Sequence, residues 1–212
     1  MQRLVETAGR GLRRFYPLLF AFVFLAYIGI ATLAPVCMHN GKESLGKGIY
    51  TLYRFCCHQF PYRSFFLYGE QSFYPLETAK IEGIRSYESI GFEGKPVKFL
   101  GNSRIGWKMA VCQRDTALWT AMGLFCILFC LCGNRAPWIS VHVWLLLGVL
   151  PMALDGGTQA VSRLFTVRES TPLIRVITGA LFGFMTCWFL FPRLESSLRK
   201  GAEDKGAEDD NA

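Results

Sequence analysis

Residues 15–35 read FYPLLFAFVFLAYIGIATLAP, a run with no charged side chain. A helix rises 1.5 Å per residue, so about 20 apolar residues cross the hydrocarbon core of a bilayer. Three further blocks follow: Ala117–Cys132, Trp138–Leu154 and Leu173–Phe191. Only Thr120 and Gly123 interrupt the second, and Ser140, His142 and Gly148 the third. The apolar residues come in blocks rather than in a stripe of helical period, which argues against four core helices of a small soluble protein. With 212 residues, 51% of them hydrophobic, the chain is expected to be an all-α membrane protein. About four transmembrane helices are expected, over about 15–35, 115–132, 138–155 and 172–192, within a single membrane domain 15–192.

The first block follows Arg10, Arg13 and Arg14, as a signal peptide would. It exceeds the usual apolar length of such a peptide, and Ala34-Pro35-Val36-Cys37 is a poor cleavage or lipidation site. An uncleaved span is expected. Net charge is +7, but the basic residues flank spans, where they meet anionic head groups. No basic stripe carries interleaved stacking aromatics, which excludes nucleic acid as a partner. The partner is the lipid bilayer, with a homo-oligomer or membrane complex left open.

Arg3, Arg10, Arg13 and Arg14 precede the first span, and Arg193, Arg199 and Lys200 follow the fourth. Four spans put both flanks on one side, and the positive-inside rule makes that side the cytoplasm. A multi-pass cell-membrane protein is expected, with flank 1–14 and tail 193–212 cytoplasmic. The long segment 36–114 then lies outside. Arg135 in the short 133–137 loop agrees; Arg163 and Arg168 in the 156–171 loop do not. The tail repeats Gly-Ala-Glu-Asp and lacks apolar anchors, so it is expected to be largely disordered. Within the outer segment, Gly48–Phe60 suits a helix lying on the interface, and Ser72–Lys108 suits turns and short elements.

Polar chemistry gathers at one face. The second span enters at Asp115, the third leaves at Asp155 and the fourth enters near Arg175, so an up-and-down bundle brings these ends together. Asp155 and Gln159 are four apart, on one helix side. Arg175 lies about one turn inside an apolar block, where a charge is costly enough to demand a partner. Asp155, Asp115 and Glu169 are the candidates. Arg63, Arg114, Asp115, Asp155, Gln159, Glu169 and Arg175 could line a pocket for a small anion or lipid head group, since guanidiniums grip phosphate and carboxylate.

Cys126, Cys130, Cys132 and Cys187 lie in or at the ends of spans, where packing is the default. Cys37, Cys56, Cys57 and Cys112 lie in the outer segment, where an oxidising compartment permits a bridge. Cys57–Cys112 and Cys56–Cys112 are the disulfide candidates. The rival is a transition metal such as zinc on Cys57, His58, Cys112 and Asp115, although adjacent Cys57 and His58 cannot easily serve one tetrahedral ion. Free thiols are the third alternative. No Walker loop, nucleophile elbow, HExxH or dinucleotide fingerprint occurs. Enzymatic activity stays open: Asp155 or His58 could act as a base on a membrane-embedded substrate. A structural or accessory subunit is the other alternative, and a transporter would need to oligomerise.

Cys57-His58-Gln59-x-Pro61-x-Arg63-Ser64-Phe65-Phe66-x-x-Gly69 resembles the opening motif of a prokaryotic membrane-protein family catalogued as a domain of unknown function. Gly101-Asn102…Gly106-x-Lys108…Cys112-Gln113-Arg114-Asp115, Asp155-Gly156-Gly157-Thr158-Gln159 and Arg168-Glu169-Ser170-Thr171…Arg175…Thr178-Gly179 resemble its later motifs. Many relatives have a short connection between the cysteine motifs and read Cys-x-Arg-Cys at the second. This chain has a long connection and Asp115 at that last position, and so resembles the longer subgroup. The resemblance implies fold and site positions, with no activity attached.

Overall fold

A computed structural model describes residues 2–75, 89–90, 96–97, 99–165 and 170–209, with side chains for 14–75, 99–159 and 170–201. Helix α1 spans Gln2–His39 and α2 spans Glu43–Tyr53. Strand β1 is Ser64–Leu67, β2 Ser89–Ile90, β3 Pro96–Val97, β4 Gly101–Asn102 and β5 Gly106–Cys112. Helix α3 is Gln113–Leu131. Helix α4 is composite: Val141–Val143, a π-helical stretch Trp144–Val149, then Leu150–Phe165. Helix α5 runs Pro172–Asp209.

Four helical stretches are long and apolar enough to cross a membrane: Arg14–His39, Gln113–Leu131, Val141–Gln159 and Pro172–Gly201. No more than 33% of the most apolar window of any of them is buried inside the molecule. Phe22, Leu19, Leu146 and Leu173 are each at least 60% exposed. Water would penalise that much bare apolar surface; lipid does not.

Helices α1, α3 and α5 share an aromatic core. Phe125, Phe129 and Phe191 meet there, with Tyr16 stacked on Phe191 at 6.1 Å and Cys126 and Cys187 packed as small apolar groups. Gly179 and Gly183 bring α5 against α3. A Cβ added at either would fall 2.4 Å from the Arg114 carbonyl oxygen or 2.3 Å from that of Leu118. Two glycines four apart permit this backbone approach. Along α4, Trp144 stacks on Phe189 at 5.0 Å and donates its indole N–H to Thr186 Oγ1 at 3.1 Å, which seats the π-helical stretch on α5.

Three features differ from the sequence expectation. The spans are helical as an all-α class requires, but the segment between the first and second spans adds a three-stranded antiparallel sheet in the order β1-β5-β4. Its register pairs Ser64 with Cys112 and Phe66 with Lys108, with a bulge between, and Gly101 with Trp107. Second, α5 continues to Asp209 across the stretch expected to be largely disordered from 193 onward. Local pairing explains its first turns: Arg199 Nε donates to Glu195 Oε1 at 2.8 Å, and Ser197 Oγ to the Arg193 carbonyl at 3.1 Å. Third, a helix was expected within Gly48–Phe60; the helix that forms, α2, starts earlier, at Glu43. It exposes Leu45 and Leu52 while burying Tyr50 and Tyr53.

Candidate functional site

The site begins where β5 passes into α3 without a loop. Cys112 ends the strand and caps the helix: its Sγ accepts the Asp115 backbone N–H at 3.4 Å. Residues Cys112 and Asp115 therefore share one turn. The third member arrives on the loop after α2. The Cys57 N–H donates to the Tyr53 carbonyl at 2.9 Å, closing the turn that ends the helix.

A buried lysine holds that loop against the strand. Lys108 is wholly inaccessible; its ammonium donates to the Gln59 carbonyl at 2.8 Å and lies 5.3 Å from the centre of the Tyr50 ring. Gln59 has φ +53°, a left-handed conformation, and donates its amide to the Tyr50 carbonyl at 2.7 Å. Tyr50 in turn donates its hydroxyl to the Lys108 carbonyl. Apart from Gln59 Oε1, which is buried without a partner among the described residues, these polar groups are satisfied by protein, which is what makes their burial tolerable.

The Cys57 Sγ, Cys112 Sγ and an Asp115 carboxylate oxygen all lie within 4.8 Å of one another. The two sulfurs share a hydrogen bond. That bond pulls the Cys57 thiol below its ordinary value, while the same bond, burial and the nearby Asp115 push Cys112 well above. One proton held between two sulfurs titrates as a property of the pair. Both cysteines are free thiols here, placed near enough to bridge or to share an ion. Of the four expected metal ligands, three converge and His58 does not. His58 is exposed, and its ring stacks on Phe60 at 5.7 Å.

The remaining polar residues form an adjoining layer. Arg114 on α3 forms an ion pair with Asp155 on α4, and Gln159 Nε2 donates to the other Asp155 oxygen at 3.2 Å. Asp155 thus pairs with Arg114, where the sequence offered it first as a partner of Arg175. Arg175, 3% exposed, donates to the Tyr62 carbonyl at 3.0 Å and to Gln113 Oε1 at 3.4 Å. Gln113 Nε2 donates onward to the Ser64 carbonyl at 3.3 Å. The physical reason is position. Arg114 leaves α3 toward α4, while Arg175 sits behind Gln113, under the turn Pro61–Arg63. Arg63 lies over the rings of Phe60 and Tyr62, 5.2 and 5.4 Å from their centres. Glu169 lies outside the described residues.

None of Lys108, Gln59, Gln113 and Tyr62 was named from the sequence as a candidate ligand or pocket residue, although the first three stand in the motifs of the family resemblance. Lys108 carried a second signal as a charge inside Trp107–Val111, an apolar stretch that proves to be a strand. The carbonyl of Tyr62 carries no sequence signal, because any residue has one.

Residues 103–189 match the family model described as "Predicted membrane protein (DUF2085)", a domain of unknown function. An uncharacterized protein of Methanocaldococcus jannaschii is 25% identical over 187 residues, spanning 85% of this chain and 93% of that protein. No solved structure matches. Four apolar helices and this match mark a membrane protein, and the matching family model carries no defined activity.

Proposed function

We propose that this membrane protein binds one soft divalent cation, zinc or a similar ion, through Cys57, Cys112 and Asp115 at the outer face of a cell membrane. The observation that carries this reading is the clustering of two sulfurs and a carboxylate within 4.8 Å. Three anion-forming groups in so small and sheltered a space repel one another when deprotonated; a bound cation would replace protons and remove that cost. Tetrahedral zinc at about 2.3 Å from sulfur sets ligand atoms about 3.8 Å apart, so a small contraction would suffice. The N-terminus of α3 adds a favourable dipole for the anionic ligands. Three protein ligands would leave a fourth position for water or a substrate, as in catalytic zinc sites.

A small anion or lipid head group has less support at this site. The guanidiniums it would need are engaged by protein: Arg114 by Asp155, Arg175 by Tyr62 and Gln113. A base role for Asp155 has less support for the same reason. One further reading has its own observation. The hydrogen-bonded sulfurs of Cys57 and Cys112 would form a disulfide if an external oxidant accepted their two electrons and the two protons were released.

Both termini are placed in the cytoplasm on the strength of the basic flanks. The metal reading is tested on the purified full chain, equilibrated with zinc and desalted. Elemental analysis should find about one equivalent in the wild type and far less in Cys112→Ser and Asp115→Asn. Less than about a tenth of an equivalent in the reduced wild type sinks it.

A further inference from the structure

The opposite end of the bundle holds a second polar feature. A cavity of about 490 Å³ opens between the α3–α4 connection and α5, with Asn134, Arg135, Trp138, Glu195, Arg199 and Lys200 in its lining. That volume is within the range of small-molecule sites. Its walls are braced. Asn134 takes a left-handed φ of +58°, and its amide donates to the Arg14 carbonyl at 3.1 Å and to Glu195 Oε2 at 3.4 Å. Trp188 Nε1 donates to the Pro137 carbonyl at 2.9 Å, and Arg193 Nη2 to that of Ile139 at 2.8 Å. The Arg193 guanidinium also covers the Trp138 ring at 5.1 Å.

Charge in the cavity is one-sided. Among the described residues its single acid is Glu195, which is only 6% exposed and is engaged on both oxygens, one by Arg199 and one by Asn134. That ion pair uses the Nε edge of Arg199. Arg135 and Lys200 are exposed, and among the described residues neither has an ion-pair partner. Among the described residues, the cavity therefore presents more positive charge than its lining acid neutralises.

Its depth decides what kind of anion fits. The α3 span ends at Leu131, directly before this connection, and Trp138 is 62% exposed beside it. Leu194 and Leu198 are exposed on the adjoining turns of α5. A tryptophan and leucines next to cations at a span end match the level where head groups meet acyl chains. A water-soluble anion would gain nothing from that apolar border.

We propose that this cavity binds the phosphate of an anionic phospholipid, gripped by Arg135, Arg199 and Lys200, with Trp138, Leu194 and Leu198 against its chains. The site is separate from the cysteine cluster and does not depend on the metal reading.

The full chain in neutral detergent is titrated with phosphatidylglycerol and with phosphatidylcholine, and bound lipid is counted by native mass spectrometry. The wild type should bind phosphatidylglycerol about ten-fold more tightly. Arg135→Gln/Lys200→Gln should bring the ratio close to one. The charge-keeping Arg135→Lys/Lys200→Arg should retain most of it, which separates lost charge from lost fold. Lys47→Gln removes an exposed charge on α2 and should leave the ratio unchanged. Equal affinity for the two lipids in the wild type overturns the proposal. So does an unchanged ratio in the double glutamine variant, or an equal fall in Lys47→Gln, which would mean diffuse attraction. Complete displacement of phosphatidylglycerol by millimolar inorganic phosphate would make this a site for soluble phosphate and also overturns it.

Discussion

Arg114, in the first turn of α3, and Asp155, near the end of the α4 span, form an ion pair that joins two helices at the polar end of the bundle. Their side chains are 17% and 5% exposed. Removing one charge from a buried pair strands the other, at a cost of about 3–5 kcal/mol. Asp155→Asn should therefore lower the melting temperature in detergent clearly, while Arg114→Met/Asp155→Leu should recover part of the loss. An Asp155→Asn protein that melts like the wild type would show that the pair does not hold the bundle.

Gly179 separates packing from composition. Its added Cβ would lie 2.4 Å from the Arg114 carbonyl oxygen, whereas one at Gly157 would meet nothing within 4 Å. Gly179→Ala must push α5 away from α3 and disturb Arg114. Gly157→Ala gains helix propensity, at most about 1 kcal/mol. The two substitutions should move the melting temperature in opposite directions, or the second not at all. Equal destabilisation would contradict the α3–α5 contact.

The cysteine pair predicts a pH profile. The hydrogen bond from Cys112 holds the Cys57 thiol below its ordinary value. A depressed value means that the thiolate stabilises the fold above the pKa of an unstructured thiol. This stabilisation is lost as pH falls through the lower folded value. Cys112→Ala removes the donor, so the pH midpoint for alkylation of Cys57 should rise. The comparison belongs in metal-free protein on a background lacking the other cysteines. A midpoint that stays or falls would show that Cys112 does not stabilise the Cys57 thiolate.

Orientation is testable at two exposed thiols, Cys56 beside α2 and Cys132 at the far end of α3. In single-cysteine variants, an impermeant thiol reagent should label Cys56 in intact cells and Cys132 only after lysis. The reverse pattern would put the polar face in the cytoplasm. Cys56 suits this better than Cys57, which the fold buries.

Much of this was legible in the chain. The four spans follow from uninterrupted apolar length, a local property that needs no partner. The meeting of Asp115, Asp155 and Arg175 at one end follows from counting spans. Gly179 and Gly183 stand four apart in an apolar run, but no contact was read from them in the sequence; the added-Cβ distances reveal the tight α3–α5 approach. The three-stranded sheet was not legible. Its strands are short, and β1 pairs with β5 across about 40 intervening residues.

A helical membrane protein with a polar cluster at one bundle end could be read directly from the chain, because hydropathy and helix rise act residue by residue. The pairing of those polar groups came from the folded arrangement. Lys108 fastens the Cys57 loop to β5, so Cys57 joins Cys112 and Asp115 while His58, one residue on, turns out to stack on Phe60. Arg114 takes Asp155, and Arg175 turns to a backbone carbonyl and a glutamine. Which groups pair depends on the direction in which each side chain leaves its element and on what stands opposite, and strand register and helix contacts set both.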